Sequence, residues 1–417
     1  METDIVKEKK VLNVPNLRFP EFSEEWEKCI IKDYGEVVTG NTPPTSKAEY
    51  YNNASFLWAS PADLGINKYI TDTKTKLSSL GFKKTRSIPK GSVLVTCIGS
   101  TIGKMGMAVE NMSTNQQINS IVVNEKANTD FVYYAVCRAF PRYLSEVGVQ
   151  AVPILSKTNF EKLPNYTTGR KEQNKIGNFL NLLDERIATQ NKIIEDLKKL
   201  KCAIIDDVFC SPEQHEPKRR FKGCYVPLST YKMKDFCYRI TDKNRDNKCS
   251  QVLTIAAHYG LVDQESFFHK SVASENLAGY YILEKGDFAY NRSYSSGYAW
   301  GAVKRLNIYS KGVLSTLYIC FRINESVVNS DYLSYYFEST KWHKGVSDVS
   351  GEGARNHGLL NISVTDYFNT KHHFAVIAEQ KRIASMLNAI TIKEQDAIDL
   401  EKLYSKQKQY LLRQMFI

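Results

Sequence analysis

The sequence predicts an α+β protein in which one module is written twice. Each copy is a mixed α/β lobe followed by a long helix, and the two helices pack antiparallel as a coiled coil about a pseudo-two-fold axis. Three observations carry this. Glu172 to Phe209 (EQNKIGNFLNLLDERIATQNKIIEDLKKLKCAIIDDVF) has no proline, one glycine (Gly177) and apolar residues at helical spacing. Glu379 to Phe416 (EQKRIASMLNAITIKEQDAIDLEKLYSKQKQYLLRQMF) repeats that design at a displacement of 207 residues, with Glu172/Glu379, Gln173/Gln380, Ile176/Ile383, Leu180/Leu387 and Asn181/Asn388 identical. The lobes ahead of the helices echo each other too: Arg18-Phe19 and Lys32-Asp33-Tyr34 recur as Arg220-Phe221 and Lys234-Asp235-Phe236, displaced by 202.

The helices share a heptad phase. One seam runs Ile176, Leu183, Gln190, Leu197, Ile204, matched by Ile383, Ile390, Ala397, Tyr404, Leu411. The companion seam of the first helix is read as Phe179, Arg186, Ile193, Leu200 and Asp207. The polar positions Arg186, Gln190, Lys393 and Gln407 are expected to fix register at some cost in stability. A period near 200 residues means a duplicated domain and not a solenoid. Duplicated modules tend to pair about a two-fold axis. Antiparallel helices then send the lobes to opposite ends of a rod roughly 57 Å long, at about 1.5 Å per residue.

Composition sets the class. The 417 residues suffice for two or three cored domains, and no apolar run reaches membrane-spanning length. METDIVKEKK lacks the apolar stretch of a signal peptide, and none of the nine cysteines forms a CxxC pair, so a reducing cytoplasm is expected. The net charge is +11. Lys171–Phe209 balances to zero and Glu379–Ile417 to +2, so +9 sits in the lobes and linkers. A basic surplus there suggests a polyanion, most simply nucleic acid.

Taken in order, residues 1–14 form a lysine-bearing tail and 15–168 the first lobe. Its strands are predicted at Phe56–Trp58, Ser92–Ile98, Met105–Val109 and Ser120–Val123, and a helix at Asp130–Phe140. The central helix takes 169–210 and a two-proline linker 211–217. The second lobe takes 218–374 and the last helix 375–417. Lys285-Gly286-Asp287-Phe288 parallels Lys90-Gly91-Ser92-Val93, a turn and then a strand, and Asp331-Tyr332 parallels Asp130-Phe131.

The search for catalytic chemistry finds little. Gly99 to Lys104 has three residues between its glycines where a phosphate loop needs four, and Met105 stands where Ser or Thr belongs; it reads as a turn between strands. There is no GxSxG or HExxH, and Thr42-Pro43-Pro44-Thr45 does not supply the Asp/Asn-Pro-Pro-aromatic motif of amino-methyltransferases. Cys202, Cys210, His215 and Cys224 match no zinc spacing, and His372-His373 reads as a surface pair at a domain edge.

Over nearly its whole length the chain resembles the specificity subunit of a type I restriction–modification system. The carriers are Leu17-Arg18-Phe19-Pro20-Glu21-Phe22, Trp26-Glu27, Gly40-Asn41-Thr42-Pro43, Asn115-Gln116-Gln117, Tyr290-Asn291-Arg292-Ser293, Gly312-Val313-Leu314-Ser315 and above all the two EQxxI helices. One departure stands out: Leu228-Ser229 replaces the Trp-Glu pair, which puts the first strand of lobe two in question. The resemblance implies a non-catalytic subunit whose lobes are target recognition domains, each reading one half of a split asymmetric site in double-stranded DNA. It implies helices that space the lobes and dock two modification (methyltransferase) subunits. The partners would bring S-adenosylmethionine for adenine methylation, and restriction subunits ATP and Mg for translocation and cleavage. No cofactor is expected in this chain and no membrane.

Base reading needs amide, hydroxyl and basic side chains on exposed loops. In lobe one these are Asn41, Thr42, Lys47, Ser100, Thr101, Lys104, Gln116 and Gln117, with Lys83, Lys84 and Arg86 assigned to phosphates. In lobe two they are Asn291, Arg292, Ser293, Tyr294, Ser295 and Ser296, with Arg355, Asn356 and His357 on a later loop. Phe179, Ile193, Leu400 and Tyr404, partly uncovered on the helix seams, are the expected partner contacts. Half-sites one duplex turn apart lie about 34–36 Å apart, within reach of such a rod. Two other classes fit less well: a free-standing DNA-binding regulator dimerising through its coiled coil, and a nuclease or methyltransferase of unfamiliar motif.

Overall fold

The computed structural model describes residues 12–147, 153–257, 259–269, 276–294, 297–351 and 360–417. They form two compact units, residues 1–191 with 399–417, and residues 192–398. Each unit thus contains one lobe, part of the long helix that follows it and part of the other.

In the first unit, β1 (Glu27–Ile30), β2 (Gly35–Thr39), β3 (Phe56–Ala59), β4 (Tyr69–Ile70), β5 (Thr75–Leu77), β6 (Ser87–Ile88), β7 (Val93–Thr96), β8 (Met105–Ala108), β9 (Met112–Thr114), β10 (Ile118–Val123) and β11 (Pro164–Thr167) build two sheets and a two-stranded ribbon. The orders are β2-β10-β7-β8-β4, β5-β3-β9-β6 and β1-β11. Helix α1 (Thr129–Val147) covers one face of the larger sheet. Strand alternation explains why β7 is buried on both faces. Val93 and Val95 point to Phe131, Val136 and Phe140, while Leu94 points to Leu57, Leu64 and Met112 of the other core layer. Gly91, at φ +84, makes the turn into β7, and Gly286, at φ +98, makes the matching turn in the second unit. Residues 99–103 form the expected turn between β7 and β8.

The second unit repeats the plan. Its strands are β12 (Ser229–Lys232), β13 (Cys237–Arg239), β14 (Leu253–Ala256), β15 (Gly260–Asp263), β16 (Tyr281–Glu284), β17 (Phe288–Asn291), β18 (Ala302–Arg305), β19 (Lys311–Leu314), β20 (Ile319–Ile323) and β21 (Lys371–Phe374). The order β13-β20-β17-β18 matches β2-β10-β7-β8, and β12-β21 matches β1-β11. The first strand of this lobe is therefore present despite Leu228-Ser229, because its register is set by backbone pairing with β21, Thr230 opposite His373.

The long helices are α2 (Arg170–Val208) and, after the short α3 (Ser330–Glu338), α4 (Ile377–Met415), 39 residues each. They run antiparallel in both units. In the first, Trp26 donates to Glu172 at the head of α2, and its ring meets Phe416 beyond the tail of α4 at 5.9 Å, while Lys408 pairs with Asp184 at 2.5 Å. In the second, Phe209, just past the end of α2, packs on Tyr332 at the head of α3, and Lys201 pairs with Glu394 at 2.9 Å. The companion seam differs from expectation. Phe179, Ile193 and Leu200 are 38%, 43% and 48% exposed, and the inward residues lie one position later: Leu180, Ile187, Ile194 and Lys201. Both i+3 and i+4 fit a heptad, and the lobes decide between them, since Leu180 must face Phe131 and Tyr134. Of the four polar seam positions, only Gln190 is buried. Arg186, Lys393 and Gln407 are exposed, and the half-buried polar pairs are Lys201–Glu394 and Lys408–Asp184.

The helix identities are the residues that weld each lobe to its own helix. Arg18 grips Glu172 with two hydrogen bonds of 2.7 and 2.8 Å, and Arg220 grips Glu379 with bonds of 3.1 and 2.5 Å. The Gln173 carbonyl oxygen accepts from the backbone of Asn128 and its amide donates to Thr168; Gln380 does the same with Asn329 and Ala375. Tyr134 donates to Asn181 at 3.0 Å and Tyr335 to Asn388 at 2.8 Å. Asp130 and Asp331 each face a cation, Lys68 and Arg305, at 2.7 Å. Gly177 packs closely here: a Cβ would stand 2.7 Å from the Asn128 side-chain oxygen, which would have to shift.

Candidate nucleic-acid interface

The first lobe gathers its predicted polar residues through three loops. β2 runs out into Gly40, Asn41 and Thr42, and the backbone N–H groups of Gly40 and Asn41 donate to the carbonyls of Ile118 and Thr114. Asn41 acts as a clasp. Its amide nitrogen donates to the Lys84 carbonyl at 3.0 Å and its oxygen accepts from the Arg86 backbone at 2.8 Å. Its own carbonyl takes the Trp58 indole at 3.1 Å. With both ends of its amide engaged, Asn41 presents the exposed Lys83, Lys84 and Arg86, whose guanidinium also rests on the Thr39 carbonyl at 2.9 Å.

Thr42 donates to Gln116 at 2.5 Å, which joins the loop after β2 to the loop between β9 and β10. Gln117 is held by Asn115, with Nδ2 to Oε1 at 3.1 Å, and lies beside Gly99, so the Ser100–Thr101 turn borders the same cluster. Lys47 is exposed and stands 5.6 Å above the Tyr50 ring. The stem of Lys104 lies across Gly65. Asn41, Thr42, Gln116, Gln117 and the 83–86 turn are thus brought together, while Lys104 sits across the β7–β8 turn.

In the second lobe the chain leaves β17 through Asn291, Arg292, Ser293 and Tyr294. Arg292 is turned inward, donating to the carbonyls of Ile362 at 2.9 Å and Leu317 at 3.3 Å, so it staples three segments. The Asn291 side chain accepts from the Ser293 backbone at 2.9 Å. Tyr294 is 61% exposed. Ser295, Ser296, Arg355, Asn356 and His357 lie outside the described residues.

Among the helix residues expected to meet partners, Phe179 is edge-on to Phe19 at 5.8 Å and Tyr404 lines a groove of about 390 Å³ with Leu182, Arg186 and Gln190. Leu182, Ile193, Leu400 and Leu403 are also exposed on these helices, at 60%, 43%, 38% and 61%. The histidine pair is not a surface feature. His372 is buried between Tyr336 and Thr370, at 3.0 and 2.9 Å, and burial pushes its pKa down to about 3. Inward and outward positions alternate along β21, so only His373 reaches the edge. Among the described residues no group of three His, Cys, Asp or Glu could hold a metal. Cys202 is exposed and Cys210 buried, too differently placed to share an ion.

The architecture is a duplicated lobe followed by a long helix, and in the first lobe Asn41, Thr42, Gln116, Gln117 and the 83–86 turn lie together on one set of loops. The family model for the type I restriction modification DNA specificity domain matches residues 23–199. The MjaIX specificity subunit of Methanocaldococcus jannaschii is 26% identical over 226 residues, 52% of this chain and 47% of that protein. The HindI specificity subunit of Haemophilus influenzae is 30% identical over 151 residues, 35% of this chain and 32% of that protein. The matched stretches thus span half or less of these relatives. In fold, the S subunit of M. genitalium aligns with a TM-score of 0.57 at 14% identity, covering 97% of this chain and 99% of that one. A structure from a study of type I R-M complex assembly aligns with a TM-score of 0.53, covering 93% and 96%. Residues 23–199 thus match the DNA specificity domain of type I restriction–modification systems, and the chain as a whole is similar in fold to their S subunits.

Proposed function

We propose that this chain is the DNA specificity subunit of a type I restriction–modification complex, with each lobe reading one half of a bipartite, asymmetric site. It does no chemistry of its own in this reading. It positions two modification subunits that methylate adenine with S-adenosylmethionine, and restriction subunits that use ATP and Mg. The observation that carries the proposal is the duplicated weld. The same Arg–Glu, Gln–backbone and Tyr–Asn contacts fix both lobes to the heads of their helices. A rigid weld is what a reader of two separate half-sites needs, because a mobile lobe would spend binding energy on ordering. The uncovered apolar residues on the helices supply the surface for the modification subunits. No helix among the described residues is long and apolar enough to cross a membrane.

The free-standing regulator is less well supported, since the relatives are specificity subunits. The test is co-expression with a neighbouring adenine-methyltransferase gene. A stable complex that methylates a split motif in host DNA is expected. A chain that purifies as a well-behaved monomer and binds its site at full affinity alone would contradict the proposal.

A further inference from the structure

Resting on the specificity reading, we propose that Lys243, Arg245, Lys248 and Lys311 form a phosphate-binding pocket through which the second lobe grips the DNA backbone. The loop after β13 occupies the place in the second sheet that the loop after β2 occupies in the first. The first of these loops carries Asn41, Thr42 and Lys47. The second bounds a pocket of about 290 Å³ lined by all four cations.

The loop is built to hold its shape. Asn244, 1% exposed, clasps Cys249 on both sides, donating to its carbonyl at 2.9 Å and accepting from its N–H at 3.1 Å. The neighbouring backbone is tied to the start of β16, with Asn244 donating to Tyr280 at 3.0 Å and Ile282 to Asp242 at 2.9 Å. Asn247 closes the turn at φ 50, a left-handed position that asparagine tolerates. The amide clasp repeats what Asn41 does for Lys84 and Arg86.

The charge is not internally balanced. One carboxylate lines the pocket, Asp246, and it pairs with Lys248 at 2.9 Å. Glu284, across from Lys311 in the register of β16 and β19, is held by Arg322 at 3.0 Å. Asp242 is exposed at the edge of the loop. Lys243, Arg245 and Lys311 are exposed and have no carboxylate partner among the described residues. Like charges held this close repel one another, and a polyanion relieves the repulsion. Only Ile282 and Cys249 among its lining residues are apolar, so the pocket suits a backbone phosphate, which positions a lobe without reading sequence.

The experiment uses the complex co-purified with its modification subunits and a duplex carrying the motif read from the host methylome. Binding is measured from low to moderate salt. In the Lys243→Ala/Arg245→Ala/Lys311→Ala variant, the slope of log affinity against log salt should fall by about 1 to 3, at about 0.9 for each phosphate that the three cations engage. Both halves of the methylated motif should stay the same. The Lys243→Arg/Lys311→Arg variant should keep the parental slope, which separates charge from fold. An unchanged slope in the alanine variant overturns the proposal, and so does a changed second half-site, which would make the loop a base reader. If the parental complex shows no motif-dependent binding at all, the specificity reading fails and takes this pocket with it.

Discussion

At the scale of single residues, the weld turns on a buried carboxylate. Glu172 is 2% exposed and takes Arg18, the Trp26 indole and the Thr168 hydroxyl. Arg18→Ala leaves that charge buried without its partner, at a cost of about 3–5 kcal/mol. Urea unfolding should show the loss, and Arg220→Ala should do the same through Glu379. A change under about 0.5 kcal/mol would mean that the weld holds without the ion pair. His372 makes a second prediction. Buried among Phe236, Tyr336 and Phe374, it stays neutral in the fold down to about pH 3, whereas the unfolded chain protonates it near its ordinary value of about 6.5. Above pH 6.5 both states are neutral and nothing is lost. As pH falls below 6.5, only the unfolded state takes the proton, so stability drops by about 1.4 kcal/mol per pH unit, or about 2 kcal/mol at pH 5. His343 and His373, also lowered by burial, add in the same direction. In His372→Gln the decline between pH 7 and 5 should be visibly shallower by thermal unfolding; an equal decline would assign it elsewhere. Sequence could not show this burial, because a histidine in a strand faces in or out according to a register it does not itself set.

At the scale of elements, both long helices and the two-lobe plan were legible. Their apolar repeat and the EQxxI starts state length and phase directly. The second seam was not, since i+3 and i+4 neighbours are equivalent within one helix and only the lobe chooses. Thus Leu180, not Phe179, faces Phe131. The Asn128/Asn329 and Tyr134/Tyr335 anchors carry the same duplication at a displacement of 201, the one already read from Asp130 and Asp331. The seam now rests partly on Lys201–Glu394, whose side chains are 19% and 12% exposed. Lys201→Met alone should lower the melting temperature by leaving Glu394 half-buried and unpaired, and Lys201→Met/Glu394→Leu should recover it, because an apolar pair escapes the desolvation cost. A double variant less stable than the single one would show that the ion pair adds stability in its own right.

At the scale of the whole molecule, the loop clusters were legible as residue types but not as roles. Asn41 and Arg292 carry the side chains that read bases in general, yet here they clasp and staple loops. Their partners lie 43, 45 and 70 residues away, and no local pattern announces such bonds. The central claim is that each lobe reads its own half-site. Its most direct measurement is an exchange of residues 27–167, from β1 to β11, for the same span of a family relative, keeping Asn128, Asp130, Phe131 and Tyr134 so that the lobe still fits its helix. Adenine methylation is then sequenced across the host genome. The account predicts a motif with one half replaced by the donor's and the other half unchanged. A motif altered in both halves, or in neither, would contradict it.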